Sequence, residues 1–566
     1  MTNPSFETFA DVLEFRAREQ GKRLAFRFLG DGEVISAEWT YEELDRQARL
    51  VGKLLSERGA FGQRVLLIYP PGLEYIAALF GCFYASAVAV PAYPPRSNHN
   101  LERLQSIQQD SDASLILTTP RLLDQLQSIL EGTLGASSII AHQTGAAGNT
   151  WQRSKKVNPL ALIQYTSAST GHPKGVKVTH RNLLHNSSIL KEAFEYTSES
   201  CCVSWLPAYH DMGLVGGVLQ PVFGGFPCTL LSPIHFLQRP MRWLEAISRF
   251  QATISGGPNF AYDLCVRRLN GDQIKELDLS TWSVAFNGAE PVSANTMRQF
   301  EDTFADYGFR ANAFFPCYGL AEATLIVSGG PAHSGPFIKE VHAEYLNKTV
   351  PHERVPPTGA ILASSGQLLE GVEVRIVDPE SRTLCGPNQV GEIWIHSESC
   401  ADGYWGAPDE SAAVFEAHLA ASDGPTFLRS GDLGLLFENQ LFVTGRIKDL
   451  IIIRGVNHYP QDIEGTVQRS HLAFDHCPGA AFSIQASDQE ALVVVQEIQR
   501  HREPEAVEAA SRARQALATV HALRPCAFVV VKQGTTLKTT SGKIQRWAVK
   551  EAFLKDQLNI VAQWAI

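Results

Sequence analysis

Short apolar runs alternate with longer segments of helical periodicity in the first half of the chain. The runs RVLLIYP (64–70) and ASLILTT (113–119) have the length of buried strands, whereas 72–86 and 120–132 have the length and spacing of helices. Strands that alternate with helices in this way are typical of parallel sheets covered by helices. The pattern therefore predicts an α/β fold from about residue 64 to residue 254.

Three later segments continue this alternation. Residues 253–257, 283–290 and 312–324 each place a glycine-containing turn directly after a short apolar run. In α/β folds, ligands usually bind at the turns that follow the carboxyl ends of the strands. We therefore expect the active cleft at these three turns.

The pattern changes at residues 331–357, a stretch rich in Pro, Gly, His and charge that we interpret as a surface insertion. The runs VEVRIVD (372–378), GEIWIHS (391–397) and LFVTG (441–445) then predict short strands of a smaller β-rich lobe. From Lys448 onward the chain has an α+β rhythm of its own, with a helix near residues 503–523 and another near the C-terminus.

The whole pattern predicts an α/β protein of two domains. Residues 1–447 would form a large N-terminal domain of helix-covered sheets plus the β-rich lobe, and they include the insertion. Residues 448–566 would form a small α+β C-terminal domain.

Composition and charge exclude several classes of function. The chain has 566 residues, 44% of them hydrophobic and 19% charged, as expected of a soluble globular protein that buries a large core. A formal charge of -10 gives no basic surface for nucleic acid. The N-terminus lacks the pattern of a secretory signal, and no apolar run is long enough for an integral membrane segment.

Cysteine and histidine spacing gives little support to a structural zinc site. The ten cysteines include no CxxC pair, and the seventeen histidines form no HxxxH or HExxH set. We interpret the cysteines as reduced, buried residues, and we expect a cytoplasmic protein.

The segment YTSASTGHPKGV (165–176) carries the chemistry of a phosphate-binding loop. It connects two apolar runs that predict strands, 160–165 and 176–179, so it forms the turn between them. Its hydroxyls and backbone N–H groups can point at one phosphate, Gly171 and Gly175 permit unusual backbone geometry, and Lys174 adds a mobile positive charge. An ordinary surface turn would have the same composition, so the assignment depends on distant segments.

Six further motifs support this assignment, and they follow one another in a fixed order. They are LPAYHDMGL (206–214), NGAEP (287–291), CYGLAEAT (317–324), SGDLG (430–434), GRIKD (445–449) and TTSGKIQR (539–546). The set resembles the superfamily of adenylate-forming enzymes, which includes acyl-CoA synthetases, luciferases and nonribosomal-peptide adenylation domains. The likeness extends over nearly the whole chain.

Three longer segments narrow the resemblance to the fatty acyl-AMP ligases: AVAVPAYPP (87–95), SGGPNFAYDLCVRR (255–268) and KDLIIIRGVNHYPQDIE (448–464). Such enzymes use ATP to convert a medium- or long-chain fatty acid to its acyl-adenylate, release pyrophosphate, and pass the acyl group to the phosphopantetheine thiol of an acyl carrier protein. Residues 331–357 stand where that family carries an insertion. Ala168, where the family usually has Gly, and Val456, which replaces a commonly basic residue, depart from its pattern.

The resemblance assigns the nucleotide-binding residues. The β- and γ-phosphates would be lined by Thr166, Ser167, Ser169, Thr170, Gly171 and Lys174. Glu322 would carry Mg2+, since this ion prefers oxygen ligands. Adenine would stack on Tyr318, beside Gly319, against a wall formed by Gly288, Ala289 and Glu290. Asp432 would accept hydrogen bonds from both ribose hydroxyls, and Arg446 would reach the ribose or the α-phosphate.

The resemblance also assigns the catalytic residues. Lys543 would swing onto the cleft to contact both the substrate carboxylate and the α-phosphate, and Lys448 would be the hinge on which a mobile C-terminal domain turns. His210 would orient the carboxylate where the nucleotide meets the acyl tunnel. The glycine-rich apolar run GGVLQPVFGGFPCTL (216–230) suits an alkyl pocket, but its composition also fits an ordinary core.

Each of these residue types also has a plain structural role. A Tyr in an apolar segment is commonly a core residue, an Asp in SGDLG could cap a turn, and a Lys near a C-terminus is usually exposed. Two other functions therefore remain open: an acyl-CoA synthetase that uses CoA as acceptor, and a catalytically silent binding or scaffold protein with the same fold. Because the chain ends soon after the Lys543 helix, we expect the carrier protein to be supplied in trans.

Overall fold

The computed structural model describes residues 6–94, 98–130, 138–141, 151–166, 173–269, 276–341, 360–420, 424–453, 456–486, 489–538 and 543–565. The predicted fold class is confirmed: helices cover parallel sheets in the larger N-terminal part, a β-rich lobe follows, and a smaller α+β part ends the chain.

The first sheet contains six strands within the described residues. In spatial order they are Ser138–Ala141, Leu115–Thr118, Arg64–Ile68, Val88–Ala92, Leu160–Thr166 and Lys174–Thr179. All pairs are parallel except the last, in which Thr166 lies opposite Lys174. The predicted phosphate loop therefore leaves and re-enters the sheet at neighbouring positions, as the two flanking apolar runs indicated.

The second sheet presents four strand ends to the cleft. Its seven strands are Phe314–Pro316, Val284–Asn287, Ile254–Gly257, Cys202–Ser204, Cys228–Leu231, Leu24–Leu29 and Ile35–Thr40. Only the last pair of these strands is antiparallel. The carboxyl ends of the first four strands consequently lie side by side, as predicted for the cleft.

The third sheet is antiparallel and forms the β-rich lobe. Its seven strands are Tyr318–Gly319, Ile326–Gly329, Gln367–Leu368, Gln440–Arg446, Leu428–Phe437, Gly391–Ser397 and Val372–Val377. A separate hairpin pairs Ile338–Val341 with Ala360–Ala363. Its first strand belongs to the predicted insertion 331–357, whose residues 342–357 lie outside the described part of the chain.

Helices of the N-terminal part cover the sheets. They are Phe9–Gln20, Tyr41–Glu57, Leu73–Ala85, Asn98–Ser111, Pro120–Leu130, His180–Phe194, Gln220–Gly224, Pro233–Gln238, Met241–Arg249, Asn259–Arg268, Ala294–Phe304 and Pro408–Phe415. Three of them start at a threonine cap: Thr8, Thr40 and Thr179 each accept a hydrogen bond from the amide three residues on. The helix Leu73–Ala85 is apolar on all sides and is buried except at Glu74.

Short irregular helices lie next to the cleft. Met212–Leu219 forms a π-helix, and Ala321–Ala323 and Ile447–Asp449 form single 3-10 turns. Further 3-10 turns are Ala305–Tyr307 and Ala311–Ala313. Among the described residues, no helix combines the length and apolar character needed to cross a membrane.

The C-terminal part has a sheet of four strands: Gly479–Ala486, Gln489–Ile498, Ala527–Lys532 and Ile560–Ala565. A hairpin pairs Ile451–Ile453 with Val456–His458, and the helices are Pro460–Ser470, Ala506–His521 and Arg546–Leu554. The helix predicted near residues 503–523 therefore starts at Ala506, after a 3-10 segment Arg500–Glu505. The last strand, Ile560–Ala565, is not evident from the sequence because IVAQWA also fits the end of a helix.

A hydrophobic core of its own stabilises this part. The cluster around Ile463, Phe474, Leu517 and Phe528 draws, among the described residues, on residues from Ile451 onward. This supports an independent folding unit, and the domain boundary between residues 447 and 448 stays a prediction.

A close backbone crossing in the β-rich lobe generates a testable prediction. Gly366 has a φ of +89°, and a Cβ at this position would lie 2.4 Å from the Cα of Gly329. Its carbonyl oxygen accepts a hydrogen bond of 2.9 Å from the amide of Leu441, in the strand that ends at Arg446. We expect Gly366→Ala to lower the free energy of unfolding by about 3 kcal/mol, because it adds overpacking to backbone strain.

Gly59→Ala is the matched control. Gly59 has a φ of +66°, but a Cβ at this position would meet no described atom within 4 Å. That variant should lose about 1 kcal/mol from backbone strain alone. Urea denaturation followed by circular dichroism measures both. Equal losses of unfolding free energy in the two variants would show that the close contact between Gly366 and Gly329 is not the cause.

Candidate active site

One large cleft collects most of the residues predicted from the motifs. Its volume is about 2040 Å³, which exceeds the roughly 300–1,000 Å³ of a typical small-molecule pocket and leaves space for two ligands. The predicted residues that line it are Thr166, Lys174, His210, Ala289, Glu290, Tyr318, Gly319, Glu322, Asp432, Arg446, Lys448 and Lys543. Ser167, Ala168, Ser169, Thr170 and Gly171 lie outside the described residues.

Asp432 and Arg446 lie opposite each other on two neighbouring strands. They are Cα partners in the antiparallel pair Leu428–Phe437 and Gln440–Arg446. Arg446 donates from Nε to Oδ1 of Asp432 at 3.1 Å, and the hydroxyl of Tyr318 donates to Oδ2 at 2.8 Å. Asp432 therefore lies within a strand and not in a turn, and the strand register brings together three of the predicted residues.

Charge and burial shift the pKa values of the residues around Asp432. The Asp432 carboxylate raises the pKa of the Arg446 guanidinium above its ordinary value, against the opposing effect of burial. Burial, followed by the negative charge of Asp432, raises the pKa of the Tyr318 hydroxyl. Tyr318 consequently stays a neutral donor with an aromatic face in the cleft.

The turn of Gly288, Ala289 and Glu290 follows the strand Val284–Asn287. A Cβ at position 288 would lie 2.8 Å from the carbonyl oxygen of Cys317, so the close approach of the two strand ends requires glycine. Ala289 has a φ of +71°, a left-handed conformation that is uncommon for alanine. Ala289 and Glu290 line the cleft together with Tyr318, whereas Gly288 is buried beneath them.

Glu322 lies in the 3-10 turn Ala321–Ala323, and its carboxylate is held by a residue that the motifs did not reveal. The hydroxyl of Tyr404 donates to Oε1 of Glu322 at 3.0 Å. Burial raises the pKa of Glu322, and hydrogen bonds, including that of Tyr404, oppose the shift. Tyr404 belongs to a Gly-Tyr-Trp segment without a distinctive pattern, so sequence reasoning had no signal by which to find it.

The acidic residues of the cleft fit a magnesium ion that is bound together with phosphates. Among the described residues, no group of three His, Cys, Asp or Glu side chains is close enough to hold a metal by itself. Mg2+ commonly binds through one or two carboxylates plus substrate phosphates, and Glu322 offers one such carboxylate. The site therefore suits a metal that arrives with its nucleotide.

Lys174 forms an ion pair with Glu410, a residue that the sequence analysis did not identify. Glu410 lies in the first turn of the helix Pro408–Phe415, and its Oε1 contacts the Lys174 Nζ. The same Nζ lies 5.1 Å from the centre of the Tyr404 ring. Both partners of the ion pair are partly open to solvent, so a phosphate can compete for Lys174.

His210 pairs with its neighbour Asp211 at the start of the π-helix. The Nδ1 of His210 and the Oδ1 of Asp211 are 2.6 Å apart, and this carboxylate also accepts from the amide of Met212 at 2.7 Å. Burial would raise the pKa of Asp211, but His210 and Lys543 together lower it below its ordinary value. Asp211 is therefore ionised and holds the imidazole ring of His210 at the cleft.

Lys543 reaches the same cleft from the C-terminal part. Burial and the positive charge of Arg446 lower the pKa of its ammonium group, and the carboxylates of Asp211, Glu290 and Asp432 oppose that shift. Lys543 thus lines the cleft in this structure, and its contacts with the substrate carboxylate and the α-phosphate stay a prediction.

Arg546 fastens the segment that follows Lys543, and it was not predicted as a site residue. It donates to both oxygens of Glu464 at 2.7 Å and to Oδ2 of Asp449 at 3.1 Å. Asp449 is the neighbour of Lys448, which is exposed in the 3-10 turn Ile447–Asp449. A bidentate pair of this kind fixes orientation, so Arg546 positions the Lys543 turn against the predicted hinge.

Some residues of the glycine-rich run 216–230 line the cleft, and others lie in the hydrophobic core. Gly216 lines the cleft, and a Cβ there would meet its nearest neighbour, Leu325, only at 3.9 Å. Val218, Leu219 and Val222 are instead fully buried in the main hydrophobic core. The three buried residues are therefore ordinary core, whereas the use of the run as an alkyl pocket stays a prediction.

Fold and site together define an adenylate-forming enzyme. The sequence model of the AMP-binding enzyme family matches residues 13–405, and a model described as the AMP domain of Disco-interacting protein 2-like proteins matches residues 448–563.

Individual relatives cover almost the whole chain. It is 44% identical to the medium-chain fatty acid–acyl carrier protein ligase JamA of Moorena producens (100% of this chain, 97% of the relative). It is 36% identical to a 4-hydroxyphenylalkanoate adenylyltransferase of Mycobacterium marinum (98% and 92%). A fatty acyl-adenylate ligase of L. pneumophila, solved with acyl adenylate and pyrophosphate, is 38% identical with a TM-score of 0.74 (99% and 98%).

The chain belongs to the AMP-binding enzyme family and, within it, to the fatty acyl-AMP ligases.

The Lys174–Glu410 pair generates a prediction about nucleotide affinity. Glu410→Gln should lower the apparent KM for ATP about two- to fivefold, because a phosphate no longer has to displace a carboxylate from Lys174. ATP–pyrophosphate exchange at varied ATP concentration measures this. Asp409→Asn, an exposed neighbour on the same helix, controls for general loss of negative charge, and an equal change in both variants would contradict the prediction.

The environment of Lys543 generates a prediction about pH. Its lowered pKa means that the ammonium charge is complete at low pH and is lost, as pH rises, earlier than for an ordinary lysine. Adenylation should therefore decline on the alkaline side. Lys543→Arg should be slower at neutral pH, but its decline should move upward by about one pH unit or more, since arginine stays charged.

Pyrophosphate exchange measured from about pH 7 to about pH 10.5 checks this, with circular dichroism at each pH to confirm that both proteins remain folded. If pyrophosphate exchange declines over the same alkaline pH range in both proteins, a group other than Lys543 controls the decline.

Proposed function

We propose that this protein activates a medium- or long-chain fatty acid with ATP, forms the acyl-adenylate with release of pyrophosphate, and transfers the acyl group to the phosphopantetheine thiol of an acyl carrier protein. The observation that carries the proposal is the position of Lys543, which lines one cleft together with Asp211, Glu290, Asp432 and Arg446. The names of the relatives support the same two-step reaction.

The first step joins two anions. An oxygen of the fatty acid carboxylate bonds to the α-phosphorus of ATP, and the bond from this phosphorus to the bridging oxygen of pyrophosphate breaks. Lys543 and Arg446 place two positive charges where the pentavalent transition state gathers negative charge.

The nucleotide would occupy the pocket at the third sheet. Tyr318 offers its ring to adenine beside Gly319, and the backbone of Gly288, Ala289 and Glu290 forms the opposite wall. Asp432 would exchange its present hydrogen bonds for those of the two ribose hydroxyls, and Arg446 would turn to the ribose or the α-phosphate.

The triphosphate would extend from there to the loop between the two antiparallel strands of the first sheet. Thr166, Ser167, Ser169, Thr170, Gly171 and Lys174 would line the β- and γ-phosphates. Glu322 would hold Mg2+, which when bound neutralises phosphate charge and orients the pyrophosphate leaving group.

The fatty acid would enter with its carboxylate at His210. Because Asp211 holds the imidazole ring, His210 can orient the carboxylate oxygen that attacks. The alkyl chain would run past Gly216, where the missing side chain leaves open space.

The second step requires a different arrangement of the same chain. Residues 448–566 would turn about Lys448 relative to residues 1–447, which withdraws Lys543 and admits the carrier's thiol. The thiol sulfur then bonds to the acyl carbon, and AMP leaves. The predicted insertion at 331–357 would restrain this movement and so favour the carrier over CoA.

A cytoplasmic location agrees with this proposal. The reaction consumes ATP, and the ten cysteines are free thiols.

The decisive experiment offers dodecanoic or hexadecanoic acid with ATP, and either CoA or a holo acyl carrier protein. We expect acid-dependent pyrophosphate exchange and acylation of the carrier, detected by mass spectrometry of the intact carrier. Rapid release of acyl-CoA would instead identify an acyl-CoA synthetase.

Lys543→Ala serves as the second arm. It should lower pyrophosphate exchange by about two or more orders of magnitude, because the stabilising charge is lost. If well-folded wild-type protein supports no exchange with any fatty acid, and the variant is indistinguishable from it, the protein is a catalytically silent member of the fold.

A further inference from the structure

The segment 401–405 ties together two parts of the site that are far apart in sequence. On one side, the amide of Ala401 donates to the carbonyl of Glu322 at 2.9 Å. On the other side, the amide of Trp405 donates to the carbonyl of Gly175 at 2.7 Å, directly after Lys174. This bridging segment therefore connects the turn of Glu322 to the strand that starts at Lys174.

Two more backbone hydrogen bonds fix the middle of the bridging segment. The amide of Lys177 donates to the carbonyl of Gly403 at 2.9 Å, and the amide of Asp402 donates to the carbonyl of Lys177 at 3.1 Å. Val176 and Tyr404 form an antiparallel bridge between these two bonds and the bond from Trp405 to Gly175. The segment thus acts as a short added strand, and its backbone cannot shift without moving the strand of Lys174.

Tyr404, in this segment, contacts both charged groups with one side chain. Its hydroxyl donates to Oε1 of Glu322 at 3.0 Å, and its ring centre lies 5.1 Å from the Nζ of Lys174. Tyr404 is 8% exposed and packs edge-on against Phe415 at 5.1 Å, so its rotamer is confined.

The two contacts have different physical consequences. A hydroxyl that donates to a carboxylate forms a charge-assisted bond, which fixes the plane of the carboxylate and leaves the second oxygen of Glu322 for another ligand. The ring face attracts the ammonium group of Lys174 without forming a bond that a phosphate would have to break.

We propose that Tyr404 is a positioning residue that sets the carboxylate of Glu322 and the ammonium group of Lys174 relative to one another, so that a metal ion and the phosphates bind as one unit. The proposal depends on the roles proposed above for Glu322 and Lys174. Tyr404 acts through these two residues and does not itself contact the reacting atoms.

Two substitutions separate the two contacts. Tyr404→Phe removes the hydroxyl and keeps the ring, whereas Tyr404→Leu removes both. The first should weaken the metal alone, and the second should also weaken phosphate binding in the absence of metal.

The readout is binding and not turnover. Mn2+ serves as the probe of the metal site, followed by electron paramagnetic resonance in the presence of ATP and without fatty acid. Pyrophosphate without metal, followed by calorimetry, serves as the probe of Lys174. We expect Tyr404→Phe to raise the Kd of Mn2+ about tenfold and to leave the Kd of pyrophosphate unchanged. Tyr404→Leu should raise the Kd of pyrophosphate about threefold as well.

Tyr41→Phe is the matched control. Its hydroxyl is also buried and donates to the carbonyl of Pro221 at 3.1 Å, but it lies in the main core away from the cleft. This variant should bind both probes like the wild type. Thermal unfolding of all variants shows whether a binding change follows from lost stability.

Glu322→Gln distinguishes failure of this inference from failure of the proposed function. If Glu322→Gln weakens Mn2+ binding but Tyr404→Phe does not, the inference is overturned and the metal assignment stands. If neither variant weakens Mn2+ binding, the metal assignment itself is wrong, and the inference is lost with it.

Discussion

The ammonium group of Lys543 must remain charged in a cleft where desolvation disfavours the charge, and carboxylates that line the same cleft favour it. Burial and Arg446 work against the charge, while Asp211, Glu290 and Asp432 support it. A buried charge is tolerated when such partners surround it. The same group of charges then suits a reaction in which two anions approach each other, because the cations are already in place.

The partners of Lys543 come from separate elements, and each is fixed by a backbone feature. Asp432 and Arg446 face each other through strand register, Asp211 sits at the start of the π-helix, and Glu290 follows a turn that needs Gly288. Lys543 is held from the other side by the pairing of Arg546 with Glu464 and Asp449. The chemistry of the cleft is therefore supported by rigid elements, as preorganised charge stabilisation requires.

At the end of the cleft that contains Lys174 and Glu322, backbone hydrogen bonds also hold the charged residues in place. The bridging segment 401–405 pairs with one edge of the first sheet and with the turn of Glu322, and so connects the first sheet to the β-rich lobe. Tyr404 adds a side-chain link to this backbone link. The fold thereby fixes the backbone of the strand that starts at Lys174 relative to the turn of Glu322.

Local patterns in the amino-acid sequence were enough to predict the fold class, the strands that flank the proposed phosphate loop, and the motif residues that line one cleft in the structure. They were enough because apolar periodicity and turn residues act locally, and because the motifs keep each functional residue in a recognisable neighbourhood. Tertiary packing, in contrast, selects the residues that support that chemistry. Tyr404, Glu410 and Arg546 were missed as site residues. A Tyr and a Glu on a helix have no local signature, and Arg546 ends the motif TTSGKIQR (539–546) without any feature that reveals its partners. Tyr404 contacts Glu322 at a separation of 82 residues, Glu410 contacts Lys174 at 236, and Arg546 contacts Glu464 at 82. Only tertiary packing brings such distant segments together.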